Sequence, residues 1–376
     1  MLDTTDPNAL IVETARRFAQ ERLAPTAAAR EQAGAIEPEI AQALGEMGFL
    51  GATISADWGG SEIPYETYAQ VVEEIAAGDG SVSTLVSVHN APTCEILEKF
   101  GTPEQKERWL RPMATGACVA SFALTESAAG SDASGVRTRA VRTNSGYTIN
   151  GSKQFISNAR IGKTTVLFAV TDPAAGKKGI SAFVVANDTP GFSVARVEHK
   201  LGQKASDSCA LAFDDMQVGD DQRIGAEGEG LKIALSTLES GRIGIAAQSV
   251  GMARAALEYA IGYAKERKQF GRPIIEHQAV GFRLVEAKTK LAAARELTLR
   301  AARLKDAGQP ALEAAAMAKL FASEAAESIC SAAIQTLGGY GYLADYPVER
   351  IYRDVRVCQI YEGTSDVQKI ILQRML

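Results

Sequence analysis

The chain has 376 residues, 46% hydrophobic and 23% charged, a composition that supports a soluble globular protein with two or three packed units rather than one core. A net charge of −5 gives no electrostatic case for nucleic acid or an anionic membrane, so an anionic ligand must meet a local basic site. Five scattered cysteines (Cys94, Cys118, Cys209, Cys330, Cys358) without a C-x-x-C pair, and three isolated histidines (His89, His199, His277), exclude a disulfide framework and a zinc site.

No apolar run approaches the roughly eighteen residues of a membrane span. Asp3, Asp6 and Glu13 near the start argue against a signal peptide. A cytoplasmic protein is expected, or a matrix protein stripped of its transit segment.

The first 118 residues read as a helical domain. Asp6-Pro7 is an N-cap and N1 proline, and Leu10, Ile11, Phe18 and Ala19 keep helical spacing as far as Pro25. Ile40, Leu44 and Met47 mark a second helix ending at Gly48. Helical stretches follow over about 64–77 and 80–100, and Thr102-Pro103 starts another through Leu110.

Between 119 and 222 the period shifts to two. Strands are expected at 119–124, 147–149, 166–170, 180–185 and 210–213, and Asn150-Gly151 reads as a two-residue hairpin turn. With no helices between them, these strands predict an antiparallel sheet or barrel. From 223 to 376 the chain is helical again, with long segments at 231–270, 278–307 and 311–337 and a last helix from Asp366; alanine-rich faces predict a bundle of about four helices. The fold class is therefore α+β, with helical, sheet and helical-bundle domains in that order. Dinucleotide fingerprints are missing: Gly146–Lys153 has the P-loop Lys and Ser reversed, and Gly225–Gly230 has the wrong spacing for a Rossmann turn.

The chemistry is expected at Ile360-Tyr361-Glu362-Gly363-Thr364-Ser365. A carboxylate among Ile, Tyr and Gly is partly desolvated, which raises its pKa toward that of a general base near neutral pH. Other stretches fit a flavin. Phe122–Glu126 runs into Ala129-Gly130-Ser131-Asp132, a small-residue loop with hydroxyls and free amides for a polar ring edge or a pyrophosphate. Phe155 and Ser157, two apart on a strand, supply a plane and a hydroxyl on one face. Arg267-Lys268-Gln269-Phe270-Gly271 ends a long helix with cations and an aromatic before a C′ glycine. Singly, each stretch also reads as something plainer: Glu362 as a favourable charge before a helix N-terminus, the others as a small loop, a core aromatic, or basic residues at a helix end.

Together, and in order, these stretches, Glu239-Ser240-Gly241-Arg242, the run from Gln335 to Tyr342 and the Glu362 hexapeptide resemble the acyl-CoA dehydrogenase family over essentially the whole chain. The resemblance implies an FAD enzyme that converts an acyl-CoA to the 2,3-enoyl-CoA, with Glu362 taking the α-proton and flavin N5 the β-hydride. It implies that Phe122, Leu124, Thr125, Ser131, Phe155 and Ser157 contact the flavin. Arg267, Phe270, Gln278, Gln335 and Gly339 reach the FAD of a neighbouring subunit, while Thr364 and Asp366 lie beside the dinucleotide. Ser131, Glu239, Arg242 and Gly363 are its substrate-side residues. A homo-oligomer, most often a tetramer, and an electron-transferring flavoprotein as acceptor follow from the same resemblance.

Several positions depart from the family pattern. Ser127 and Ala128 replace a Pro-Gly pair, which puts the loop's turn in question, Phe155 replaces the commoner tryptophan, and Glu239 the commoner aspartate. Gly241 stands where one branch carries its base, which favours Glu362. The presence of Glu362 also argues against the desulfinase branch. Ser240–Gln248 is most similar to short-chain and branched short-chain members. The alternatives are an acyl-CoA oxidase of the same fold, which oxygen consumption would reveal, and a catalytically silent scaffold, which would lack flavin.

Overall fold

The computed structural model describes residues 6–376; Asp3, part of the charged start, lies outside them. Helix α1 (Pro7–Phe18) opens as its cap requires, with the Asp6 carboxylate accepting the Asn8 amide at 2.9 Å. Then come α2 (Ala27–Ala33), α3 (Pro38–Glu46), α4 (Tyr65–Gly78), α5 (Gly80–Val88), α6 (Glu95–Phe100), α7 (Pro103–Gln105) and α8 (Arg111–Ala114). The single helix expected over 80–100 is broken. Ala91 is extended (φ −129, ψ 119), because the proline ring at 92 pushes the preceding residue out of the helical region. Asn90 pairs the buried break, accepting from the Ala52 amide at 2.9 Å and donating to the Phe49 and Val86 carbonyls at 2.8 and 2.9 Å.

The middle of the chain forms one eight-stranded sheet. Its strands are β1 (Ala120–Ala123), β2 (Arg139–Thr143), β3 (Gly146–Ser157), β4 (Thr164–Val170), β5 (Ile180–Ala186), β6 (Phe192–Val197), β7 (Ser208–Gly219) and β8 (Arg223–Ile224). They run in the order β6-β7-β3-β2-β4-β5-β8, with β1 beside β4. The antiparallel expectation holds for most pairs. However, β1 runs parallel to β4, and β2 meets β4 in parallel at Arg139 and Val170, so the sheet is mixed.

Asn150-Gly151 is not a hairpin turn. Strand β3 runs through it, and the turn from β2 lies at residues 144–145. Asn150 instead marks a bulge against β7, where it donates to Asp215 Oδ1 at 2.9 Å and accepts the Asp215 amide at 2.8 Å.

The C-terminal bundle contains α9 (Gly230–Glu266), α10 (Gln278–Asp306), α11 (Leu312–Leu337), α12 (Pro347–Val355) and α13 (Ser365–Gln373). Residues Ser240–Ala253 of α9 are all buried, and their many alanines and glycines let α4 and α11 approach closely. Glu73 and Glu74 on α4 tie the N-terminal helices to the bundle through Arg254 of α9 at 2.6 Å and Arg295 of α10 at 2.8 Å, while Arg16 of α1 holds Glu74 at 3.0 Å within the N-terminal helices. Gly271 is not the helix C′ residue. Arg267 ends α9, and Phe270 (φ +54) and Gly271 (φ +82) form the tight turn between β9 (Lys268–Gln269) and β10 (Arg272–Pro273). Among the described residues no helix is long and apolar enough to cross a membrane, and no cluster of three or more His, Cys, Asp or Glu side chains could hold a metal.

Candidate active site

A cleft of about 710 Å³ opens where the ends of β1 and β3, helix α9 and the turn before α13 meet. Nine of the residues singled out in the sequence line it: Phe122, Leu124, Thr125, Ser131, Phe155, Ser157, Arg242, Glu362 and Gly363.

Glu362 and Gly363 both have positive φ, +53 and +88. A glutamate in that region carries a backbone cost of roughly 1–2 kcal/mol, which points to a position fixed for function. Its Oε2 is shielded from solvent and has no hydrogen-bond partner among the described residues. Burial pushes the carboxyl up to about 7, against the opposing pull of Arg242 and then Lys319. Arg242 is itself buried, with an unpartnered Nε, and burial lowers its pKa while Glu362 and Glu239 oppose the fall. Gly241 makes room for the base: a Cβ there would lie 2.7 Å from Glu362 Oε2. The Glu362 amide donates to no group among the described residues.

The facing wall suits a flat, heteroatom-edged ring. Phe155 is 62% exposed and lines the cleft with Phe122 and Leu124, an apolar face open to a flat ligand. Its φ of +60 reflects a second irregularity between β3 and β7, at Lys153–Ile156. The simple alternation expected for Phe155 and Ser157 is therefore interrupted, yet both reach the cleft. The hydroxyls of Thr125, Ser131 and Ser157 and the amides of Gly130 and Ser131 make no hydrogen bond among the described residues. An aromatic plane, unpaired hydroxyls and free amides form a donor set that fits FAD.

The loop carrying Thr125 and Ser131 forms a closed turn with Ser127 and Ala128 at its tip. Glu126 and Ala129 exchange backbone hydrogen bonds at 3.1 and 3.0 Å. Beneath it is an ion pair that the sequence reading missed. The fully buried Lys153 Nζ lies 2.8 Å from Glu126 Oε1 and 3.0 Å from the Leu124 carbonyl. Glu126 also accepts the Arg137 and Thr138 amides at 2.7 and 3.0 Å. Lys153 on the exposed-looking run Gly151-Ser152-Lys153 gave no signal, because the bulge turns it inward.

The remaining residues lie elsewhere. Glu239 is half-buried beside Arg242 and does not line the cleft. Thr364 caps α13, accepting the Val367 amide at 3.2 Å, and Asp366 is exposed in its first turn. Arg267 and Gly339 line a second cleft of about 500 Å³ on the bundle, where Arg267 lies over the Tyr340 ring at 5.7 Å. Phe270 is 94% exposed, and Gln278 and Gln335 are exposed too. Within one chain this group does not join the Glu362 cleft. Tyr361, Val88, Leu235, Leu238, Lys177 and Arg374 line that cleft without having been singled out as site residues.

Family models match the chain in three consecutive segments. The acyl-CoA dehydrogenase N-terminal, middle and C-terminal domain models match residues 5–117, 121–216 and 228–376. The chain belongs to the acyl-CoA dehydrogenase family. This acyl-CoA dehydrogenase is 40% identical over 371 residues to the human mitochondrial short-chain specific acyl-CoA dehydrogenase, covering 99% of this chain and 90% of that protein. Butyryl-CoA dehydrogenase from Megasphaera elsdenii superposes with a TM-score of 0.97 at 39% identity, covering 100% of this chain and 99% of that one. A chain from the structural study of the electron transferring flavoprotein of Acidaminococcus fermentans gives a TM-score of 0.97 at 42% identity, with the same coverage of 100% and 99%.

Proposed function

We propose that this acyl-CoA dehydrogenase uses FAD to oxidise a short-chain or branched short-chain acyl-CoA to its 2,3-enoyl-CoA, with Glu362 as the base. The observation that carries the reading is the partnerless, shielded Glu362 carboxylate, pushed up to about 7 and set in a cleft with an uncovered aromatic wall. A buried carboxylate with that pKa holds the proton it takes from a substrate α-carbon. The unpaired Glu362 amide is a donor for the thioester carbonyl, whose polarisation acidifies the α-proton. Bound FAD supplies the two-electron acceptor for the β-hydrogen, leaving as hydride, a role outside side-chain chemistry. Arg242 keeps the base ionisable, and Phe155 and Ser157 position the ring.

Short acyl chains are favoured by the likeness to the short-chain and butyryl-CoA enzymes. The electron acceptor is read as an electron-transferring flavoprotein, in keeping with the neighbour from A. fermentans. The exposed group of Arg267, Phe270, Gln278, Gln335 and Gly339 supports a homo-oligomer, most simply a tetramer, in which it meets the cofactor of a second copy. Thr364 and Asp366 take the dinucleotide side, Glu239 acts from behind Arg242, and the setting is cytoplasmic.

The test is steady-state turnover with propionyl-, butyryl-, isobutyryl- and octanoyl-CoA, using either an electron-transferring flavoprotein or dioxygen as acceptor. Four- and five-carbon substrates are expected to turn over best, and only with the flavoprotein; rapid oxygen consumption would make the enzyme an oxidase. With Glu362 as base, kcat/KM rises with pH through about 7, because only the ionised carboxylate accepts a proton. A rate flat from about pH 5.5 to 8 would remove Glu362 from that role.

A further inference from the structure

We propose that Lys319 and Gln368 are positioning residues, clamping the carbonyls of Glu362 and Gly363 from two helices so that the base and its amide hold one orientation. The inference rests on reading Glu362 as the base. Lys319 lies on α11 among buried Ala315, Ala316, Ala318 and Ala322, a face where an apolar side chain would pack without desolvating a charge. Its side chain is fully buried, and Nζ donates to the Gly363 carbonyl at 2.6 Å. It makes no ion pair among the described residues.

Gln368, one turn into α13 and also fully buried, donates from Nε2 to the same Gly363 carbonyl at 2.8 Å and to the Glu362 carbonyl at 3.2 Å. Gly363 permits that approach, since a Cβ there would lie 2.7 Å from Gln368 Nε2. Three donor contacts thus converge on two consecutive carbonyls of a turn whose backbone sits in a sparsely populated region. A turn left to relax would rotate the carboxylate and the amide away together, and misplacement by about 1 Å can cost on the order of 100-fold in rate.

The charges in this neighbourhood are few. Glu362 is faced by Arg242 from α9 and Lys319 from α11, and Glu239 acts on Arg242. Lys319 is faced by Glu362, by Cys358 from the segment before the turn, by Arg242, and by Glu324 of its own helix. Burial lowers Lys319 to about 8, yet its cation still pulls Glu362 down.

The experiment compares flavin-loaded wild type, Lys319→Met and Gln368→Met with butyryl-CoA across pH, as rate per bound flavin. Gln368→Met is expected to lower kcat by about tenfold or more with KM little changed and the pH limb unmoved. Lys319→Met is expected to lower kcat similarly and also to move the rising limb up by roughly one unit, because Glu362 loses a neighbouring cation. If Lys319→Met does not load flavin, Lys319→Gln, which keeps a donor but no charge, takes its place, and Gln368→Met decides the clamp by rate alone. Wild-type kcat per flavin with an unmoved limb in the loaded variants would overturn the inference, leaving both residues as fold supports. A flavin-loaded wild type inactive with butyryl-CoA and with the branched and longer acyl-CoAs alike would instead overturn the reading of the Glu362 cleft on which the inference rests.

Discussion

Glu362→Gln is expected to lower kcat with butyryl-CoA by about 10²- to 10⁴-fold while the protein stays yellow and folded. Glutamine keeps the shape and the backbone of the turn, so the amide offered to the thioester carbonyl is retained. What it loses is the acceptor for the α-proton, a group whose Oε2 has no other partner among the described residues. KM is therefore expected to change little, since the contribution removed belongs to the transition state. A variant with most of its rate would show that another group takes the proton. Arg242 and Lys319, the charged groups that act on Glu362, are cations and no substitute.

Lys153→Met is expected to be the most damaging change away from the base. Its fully buried ammonium holds Glu126 at 2.8 Å beneath the loop that supplies Leu124, Thr125 and Ser131. Without it the Glu126 carboxylate keeps two amide donors but sits buried without a counter-charge, a loss of roughly 3–5 kcal/mol. Thermal unfolding is expected about 5 °C or more below wild type, with FAD released during purification. The double variant Lys153→Met with Glu126→Gln is expected to recover part of that loss, because no stranded charge remains. An unchanged melting temperature and flavin content in the single variant would show that the pair does not anchor the loop.

The three-part order of the chain was legible because hydrophobic period is written residue by residue; Glu362 stood out only when its apolar and glycine context was joined to the other stretches that carry the family resemblance. What escaped was set by contacts between distant segments. Asn150-Gly151 has turn composition, but its fate depends on Asp215, 65 positions away, whose side chain and amide pair with it in a bulge. The parallel pairing of β1 with β4 leaves no mark on either strand, since both are buried almost throughout and a buried strand does not record which way its neighbour runs. Edge strand β6 went unnoticed because Ser193 to Arg196 are exposed and break no pattern. Lys319 could have been found, as a lysine in register with four buried alanines is a charge placed where only a specific partner justifies it. The separation of Arg267, Phe270 and Gln335 from the Glu362 cleft was expected from the resemblance, which places them at a neighbouring subunit's cofactor, and not from spacing, because it is a matter of which side of a helical bundle each residue faces.

The most direct test of the account is to mix the flavin-loaded protein anaerobically with butyryl-CoA and follow both the visible flavin band and the acyl product. The account predicts bleaching with one crotonyl-CoA formed per flavin reduced in the wild type, and negligible bleaching on the same timescale in Glu362→Gln. A yellow wild-type protein with butyryl-CoA, its branched analogues and longer chains all unchanged would contradict it.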